Sequence, residues 1–379
     1  MDIAQLNTNW FPNAGGGAVH VRELSRRLVS SYDCNITVLT KHTTDRPASD
    51  VEEFTVKQLP YSGSRIRIIN ELAYSTGALK HLLGNDYDLV HVHSNTATFP
   101  VQPFRLLSDI PVVFTVHGSN LDFSITFTDS VLDRIYSTIS RIILKHFAYD
   151  HVISVSDELT GRLTEFDHEV TYIPNGVDPD SFPTPGNFDR KKLLFVGRLR
   201  PKKNPVDIVV AMEQIVERHP DAELHFVGEG PLNTDLQSEV KSRELTESVT
   251  VHGYVSDEDL MRLYKESSIF VLPSEWEGHP LVLLEAWASG IPVLGTNVEG
   301  IREFVEEGKT GTLVPLNDPD ALALCVIKLF NRPEQVEQMG RNAHDLVRDQ
   351  YSWADTVART HDLYEKLIEY KERRTSQTN

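Results

Sequence analysis

The sequence predicts an α/β protein built from two consecutive doubly wound domains, and three observations carry that prediction. Short apolar runs alternate with amphipathic helical stretches, the pattern of parallel sheets covered by helices on both faces. The alternation breaks once, at Pro174-Asn175-Gly176 and the stretch 179–187 with its three prolines and one glycine, and then starts again. At 379 residues the chain is also too long for one ordinary core. The expected division is a first domain over 1–178, a linker over 179–190, a second domain over 191–351 and a terminal helix and tail over 352–379.

The elements follow in order. A first strand, Ile3 to Asn7, leads into a loop carrying Gly15, Gly16 and Gly17. In the helix after it, Val19, Leu24 and Leu28 line one side, with Arg22, Arg26 and Arg27 largely opposite. Glycines between a strand and a helix let backbone N–H groups approach an anion, although a plain flexible loop has the same composition. The spacing is not Gly-x-Gly-x-x-Gly, so a nicotinamide oxidoreductase is not expected. Further strands are expected at 36–39, 54–59, 89–93, 112–116, 152–155 and 171–173, with a long helix over 129–149 and another capped by Ser156. Arg65, Arg67, Arg134, Arg141 and Lys145 form the basic clusters of this half and read as a solvated helix face. Past the break, strands are expected at 193–196, 223–227, 249–251, 269–272 and 293–295, and the segment from Ser352 to about Arg374 reads as a long charged helix.

Composition narrows the function classes. Hydrophobic content of 40% and charged content of 24% are those of a soluble globular protein. No stretch of about 18 apolar residues exists to span a membrane, and Met1-Asp2-Ile3-Ala4 does not open a signal peptide. Cys34 and Cys325 fall in different expected domains, which fits a reducing cytoplasm without a disulfide. A net charge of −18 argues against nucleic acid as a partner, because no basic excess neutralises phosphates. The same acidity suits a high-salt cytoplasm, an expectation that activity in molar salt would test.

Chemistry concentrates in the second half. Phe195-Val196-Gly197-Arg198-Leu199-Arg200-Pro201-Lys202-Lys203-Asn204-Pro205 reads as a strand end, a cationic turn and a helix start, with Asn204 as N-cap and Pro205 at the first helical position. Arg198 offers a bidentate fork and Lys203 a point charge, which suits a diphosphate at the carboxyl edge of a sheet. Val227-Gly228-Glu229-Gly230-Pro231 repeats the layout, its glycines allowing a backbone to approach a flat ring or a phosphate. The third such turn, Pro273 to Gly290, holds Glu277 in a loop and Glu285 in a helix, with Gly278 for the tight turn and Pro280 at the helix start. A carboxylate accepts from two adjacent hydroxyls at once, so the pair could grip two sugars either side of a diphosphate; a solvated loop glutamate beside a helix glutamate is the plain alternative.

Taken together these segments resemble family 4, retaining, nucleotide-sugar-dependent glycosyltransferases of the GT-B fold. The matching pieces are the Phe195–Leu199 strand end with Lys203-Asn204, Val227 to Pro231, Glu277-Gly278, and Leu283 to Gly290. Gly15-Gly16-Gly17 with His20-Val21-Arg22-Glu23-Leu24, Asp88 to His93, Thr115-Val116-His117-Gly118 and Ile173 to Asp178 complete the family order. The resemblance implies two Rossmann-like domains facing across a cleft, with donor mainly on the second, acceptor mainly on the first, and the terminal helix crossing back to the first. It implies that Arg198 and Lys203 hold the donor's distal phosphate and that Glu285 bonds the ribose hydroxyls. Glu277 would then face the transferred sugar, with His117 near sugar and acceptor and Gly16 approaching the phosphates from the first domain. Gly15, Gly17, Gly228, Gly230, Gly278, His279, Pro280 and Leu281 complete the expected substrate-binding set. The family often has phenylalanine where His279 stands, which bears on the donor-sugar pocket.

The expected donor is a UDP- or GDP-sugar and the acceptor a hydroxyl on a glycan, a lipid-linked glycan or a small molecule. The expected location is cytoplasmic, with the inner face of a membrane open as a docking place. No cofactor and no metal is expected, since cations and helix N-termini can stabilise the leaving diphosphate. The triplets Asp86-Tyr87-Asp88, Asp178-Pro179-Asp180, Asp257-Glu258-Asp259 and Asp318-Pro319-Asp320 read better as turns and helix caps. Attack on the face of the departing diphosphate is favoured for a retaining enzyme, double displacement through a carboxylate being the alternative. A packed strand-end residue is the bland reading of His117, and His91 and His93 read as structural. The competing functions are a nucleotide-sugar 2-epimerase or a phosphorylase of the same architecture, and a non-catalytic nucleotide-sugar-binding subunit.

Overall fold

The computed structural model describes residues 1–11, 15–41, 53–60, 67–118, 138, 142, 145–166, 168–184 and 187–378. The chain divides into two compact units, one of Met1–Asn175 with Trp353–Asn379 and one of Gly176–Ser352.

The first unit runs β1 (Asp2–Leu6), α1 (Gly16–Tyr32), β2 (Asn35–Lys41), β3 (Thr55–Leu59), α2 (Arg67–Leu83), β4 (Leu89–Val92), α3 (Val101–Leu107), β5 (Val112–Val116), β6 (His151–Ser154), α4 (Asp157–Leu163) and β7 (Val170–Tyr172). Its strands form one parallel sheet in the order β3-β2-β1-β4-β5-β6-β7. Strands β4 and β5 are buried along their whole length, as parallel strands covered on both faces must be. Ser156 caps α4, its hydroxyl accepting from the Leu159 N–H at 3.2 Å.

The second unit runs β8 (Lys192–Val196), α5 (Pro205–Arg218), β9 (Glu223–Val227), α6 (Asn233–Ser242), β10 (Val249–Val251), α7 (Asp257–Glu266), β11 (Ile269–Leu272), α8 (Leu281–Ala288), β12 (Val293–Thr296), β13 (Gly311–Val314), α9 (Pro319–Phe330) and α10 (Pro333–Gln350). The sheet order is β10-β9-β8-β11-β12-β13, again parallel. Alternate residues of one strand enter different cores: Leu193 and Phe195 join Phe226 and Ile269, while Leu194 joins Val227 and Phe270. Each such side chain, fully buried, contributes about 1.5–3 kcal/mol. The last helix, α11 (Trp353–Thr378), belongs to the first unit, where Tyr32 of α1 stacks on His361 with ring centroids 4.0 Å apart.

Two features differ from the sequence reading. Strand β13 carries no strong apolar pattern, being half exposed at the sheet edge; a Cβ on its Gly311 would lie 2.2 Å from the Val293 carbonyl oxygen, so the glycine is needed for pairing. Asn204 stands before α5 as expected but does not cap it, because its backbone is left-handed at φ 48°. Its amide instead donates to Asp207 Oδ2 at 2.7 Å and Asn317 Oδ1 at 3.0 Å. The helix expected over 129–149 lies mostly outside the described residues, as do Arg65, Arg134, Arg141 and the side chain of Arg67. Among the described residues, no helix is long and apolar enough to cross a membrane.

Candidate functional site

Topology fixes where ligands can reach each unit. In a doubly wound sheet the crevice opens at the carboxyl ends of the two strands between which the winding direction reverses. In the second unit those strands are β8 and β11, which pair directly; in the first they are β1 and β4. Arg198, Lys203 and Glu277 follow β8 and β11, and Gly15, Gly16 and Gly17 follow β1; Gly228 and Gly230 follow β9 and His117 follows β5, each one strand away from the reversal in its sheet.

In the second unit the turn after β8 carries Arg198 and then a 3₁₀ turn, Pro201–Lys203. The loop after β11 is tied to it, the Glu275 N–H donating to the Lys202 carbonyl at 2.9 Å. That tie brings Lys203 Nζ onto Glu277 Oε1, which also accepts from the Ser274 hydroxyl at 2.6 Å. The Glu277 side chain is only 10% exposed and Lys203 28%, so the ion pair is shielded but open on the lysine side. Arg198 is partly buried; burial, then neighbouring Arg200, lowers its guanidinium pKa, and it remains a cation. The turn after β8 thus carries two cations, one of which holds the carboxylate of the loop after β11.

Glu285 sits on α8 and accepts from the Tyr264 hydroxyl at 2.9 Å. Burial raises its pKa, opposed by the Tyr264 hydrogen bond and reinforced by Asp257. His279 is buried and lies flat on Phe304, with centroids 4.3 Å apart and planes 7° from parallel. Gly278 and Pro280 are buried beside it, and Leu281, the first residue of α8, is partly exposed.

The glycines after β9 have a firm local reason. Gly228 has φ +124°, and a Cβ there would lie 2.1 Å from the Gly197 carbonyl oxygen; one on Gly230 would lie 2.3 Å from that of Leu199. Hydrogen bonds Gly197 N to Val227 O at 2.9 Å and Leu199 N to Glu229 O at 3.0 Å zip the two turns together. The close approach these glycines permit is therefore that of the neighbouring cationic turn, which they hold in place.

In the first unit Gly15 stands before α1, Gly16 is exposed, and Gly17 and His117 are partly buried and adjacent. A Cβ on Gly17 would meet His117 Cδ2 at 3.8 Å, ordinary contact distance. His117 Nε2 lies 3.3 Å from His93 Nδ1, and its ring centroid 4.7 Å from that of His20. Burial, then neighbouring histidines, lowers the pKa of His117 and His93 well below the ordinary value. His20 falls to about 4 through burial, partly offset by its Asn175 hydrogen bond. His91 is held by the Tyr364 hydroxyl and Thr115 Oγ1, a packing role.

Sequence reasoning gave no role to Ser274, Tyr264, Gly300, His20 or Asn175. His20 and Asn175 lie within the resembling segments, but their contact at 2.8 Å spans 155 positions of chain and has no local signal. Gly300 is equally hidden: its φ is +76°, and a Cβ there would lie 1.9 Å from the Glu277 carbonyl oxygen, so it fixes the Glu277 backbone. The aspartate triplets behave as structural residues where contacts are resolved. Asp318 caps α9 through the Ala321 N–H at 2.9 Å, Asp259 donates its N–H to the capping Ser256 hydroxyl at 3.1 Å at α7 while its carboxylate accepts from that hydroxyl at 2.9 Å, and Asp88 accepts from the Asp2 N–H at 2.7 Å.

Comparison with known proteins places the chain in a family. The model of "Glycosyltransferase Family 4" matches residues 14–181, and that of "Glycosyl transferases group 1" matches residues 178–346. An Escherichia coli UDP-Gal:α-D-GlcNAc-diphosphoundecaprenol α-1,3-galactosyltransferase is 28% identical over 85% of this chain and 87% of its own length. A Mycobacterium tuberculosis phosphatidyl-myo-inositol mannosyltransferase is 27% identical over 82% of each. Among solved structures, a sucrose-phosphate synthase from Thermosynechococcus elongatus superposes with a TM-score of 0.86 at 22% identity, covering 97% of this chain and 99% of that one. An Anabaena protein solved with UDP and glucose gives 0.79 at 16% identity, over 97% and 100%.

Proposed function

The chain belongs to the family 4, group 1 glycosyltransferases of the GT-B fold, and on that premise we propose that it is a retaining, metal-independent hexosyltransferase taking a UDP- or GDP-sugar as donor. The observation that carries the proposal is the Lys203–Glu277 pair joining the turns after β8 and β11 at the winding reversal, with Arg198 in the same turn as Lys203 and Glu285 on the following helix. Enzymes of this group use nucleotide-sugar donors, and such a donor needs what these residues offer: fixed cations for a diphosphate and carboxylates for hydroxyls.

In the proposed reaction the bond between the sugar's anomeric carbon and the diphosphate oxygen breaks, its electron pair leaving with the diphosphate. Arg198 and Lys203 meet that developing charge with positions already set by the packed turns, so little reorganisation is needed. The acceptor hydroxyl adds to the same face, and its proton passes to an oxygen of the departing phosphate. Glu277 orients the sugar rather than attacking it, a role consistent with the grip of Lys203 and Ser274 on its Oε1. Glu285 binds the ribose hydroxyls; Gly16 serves the donor phosphates and His117 the sugar and acceptor. Gly15, Gly17, Gly228, Gly230, Gly278, His279, Pro280 and Leu281 shape the substrate surfaces. The two named relatives act on lipid-borne acceptors, which supports a sugar or lipid-linked hydroxyl as acceptor here.

A screen of UDP-, GDP- and ADP-sugars in EDTA, with the anomeric configuration of the product read by NMR, tests the proposal. Transfer with retained configuration is expected. An inverted product, or complete loss of activity restored only by magnesium, would overturn it. Saturable donor binding with no turnover across many acceptors would favour a binding subunit.

A further inference from the structure

Beyond the donor residues, three histidines of the first unit converge on one point. His20 comes from α1, His93 follows β4 and His117 follows β5, and one ring nitrogen of each lies within 4.8 Å of the other two. The His93 Nδ1 to His117 Nε2 separation is 3.3 Å. Nitrogens bound tetrahedrally at ~2.0–2.1 Å from a zinc-sized ion lie roughly 3.4 Å apart, so this pair already has ligand spacing. Bringing in the third nitrogen takes a movement of about 1.4 Å at most, within the broad torsional well of an imidazole ring.

The surroundings suit ligation. His20 Nδ1 is fixed by Asn175 Oδ1 at 2.8 Å, the outer contact that orients a metal-binding imidazole and leaves Nε2 with its lone pair. His93 Nε2 is buried with no hydrogen-bond partner, so the three rings do not close into a satisfied hydrogen-bond network. His91, whose ring is 3.9 Å from that of His93, is excluded because Tyr364 and Thr115 occupy its nitrogens.

We propose that His20, His93 and His117 form a three-imidazole site for a divalent transition cation of the zinc, cobalt or nickel kind. Three nitrogen ligands favour these ions over magnesium or calcium, which prefer oxygen. His117 is the partly exposed member, so the ion reaches the site from its side. Because the reading above also places His117 at the sugar and acceptor, bound cation blocks transfer. That consequence rests on that reading; the binding does not.

The test titrates chelator-treated full-length protein with Co²⁺, followed by the visible d–d absorption of the bound ion, and with Zn²⁺ by calorimetry. Wild type is compared with His20→Ala, His93→Ala and His93→Asn, and with a control carrying His225→Ala and His361→Ala. The expected result is one ion per chain at this site, bound at least about tenfold more weakly by folded cluster variants and unchanged by the control. Melting curves establish folding, and His93→Asn stands in if the alanine variant does not fold. Absence of a saturable Co²⁺ band in wild type, or binding that survives in the cluster variants, would overturn the site. Zn²⁺ is expected to inhibit transfer reversibly. Histidine-dependent Co²⁺ binding in a protein with no transferase activity would count against the functional reading while leaving the site in place.

Discussion

Replacing Lys203 with alanine separates what the cation does for the fold from what it does for the reaction. Its partner Glu277 is 10% exposed, and after the substitution keeps only the Ser274 hydroxyl, 2.6 Å from Oε1, of the two side chains now on that oxygen. Breaking a fully buried pair costs about 3–5 kcal/mol and an exposed one about 0–1 kcal/mol. With Lys203 itself 28% exposed, an intermediate loss of about 1–2 kcal/mol is expected. That lowers the melting temperature by roughly 2–8 °C for a unit of this size. If Lys203 also meets charge developing on the leaving diphosphate, turnover falls further, by about 10²–10³, or ~2.7–4 kcal/mol. The assay pairs melting curves with initial rates at saturating donor, in a double-mutant cycle with Glu277→Gln. A Lys203→Ala enzyme whose turnover stays within about threefold of wild type, under 1 kcal/mol, would refute the catalytic role. A loss confined to donor affinity would reduce Lys203 to a binding residue.

Three further outcomes are expected. Burial raises the Glu285 pKa in the folded state, so its contribution to stability is present in acid and is lost as pH rises through the folded value. Glu285→Gln should therefore melt above wild type near neutral pH, converge with it in acid, and bind nucleotide more weakly; a variant less stable at pH 7 would contradict the burial argument. Gly300→Ala should cost about 2–3 kcal/mol or more and cut activity with it, since the new Cβ meets the Glu277 carbonyl at a positive φ; unchanged melting and rate would show that the loop yields freely. Asp318→Ala should lower stability by about 1 kcal/mol through loss of the α9 cap and leave transfer unchanged in magnesium-free buffer, and magnesium-dependent activity lost with it would expose a metal role instead.

Much of the fold was legible because parallel strands buried on both faces must be continuous apolar runs, as at Val112–Val116 and Ile269–Leu272. Strand β13 escaped because an edge strand is half exposed and this one begins at a glycine chosen for backbone contact, not for packing. At the site, Arg198 and Lys203 stood out as cations in a turn between a strand end and a helix start, and Glu277 and Glu285 as carboxylates in the loop and helix that follow another strand. What the sequence did not disclose was their partnership: the Lys203–Glu277 contact spans 74 positions and depends on the Glu275–Lys202 backbone tie. Gly228 and Gly230 looked like ligand-approach glycines, whereas their immediate contact is the backbone of the adjacent turn. His93 read as structural and His20 drew no role of its own, because a histidine at a buried position looks the same in sequence whether it packs or binds.

The most direct test of the central claim is calorimetric titration of UDP- and GDP-sugars into the full-length protein in EDTA, for wild type, Glu285→Ala and Lys203→Ala. Saturable binding of one donor class by wild type is expected, at least about tenfold weaker for Glu285→Ala, with turnover lost in Lys203→Ala. If no nucleotide sugar binds, or if both variants bind and turn over as wild type does, the β8–β11 crevice is not the donor site.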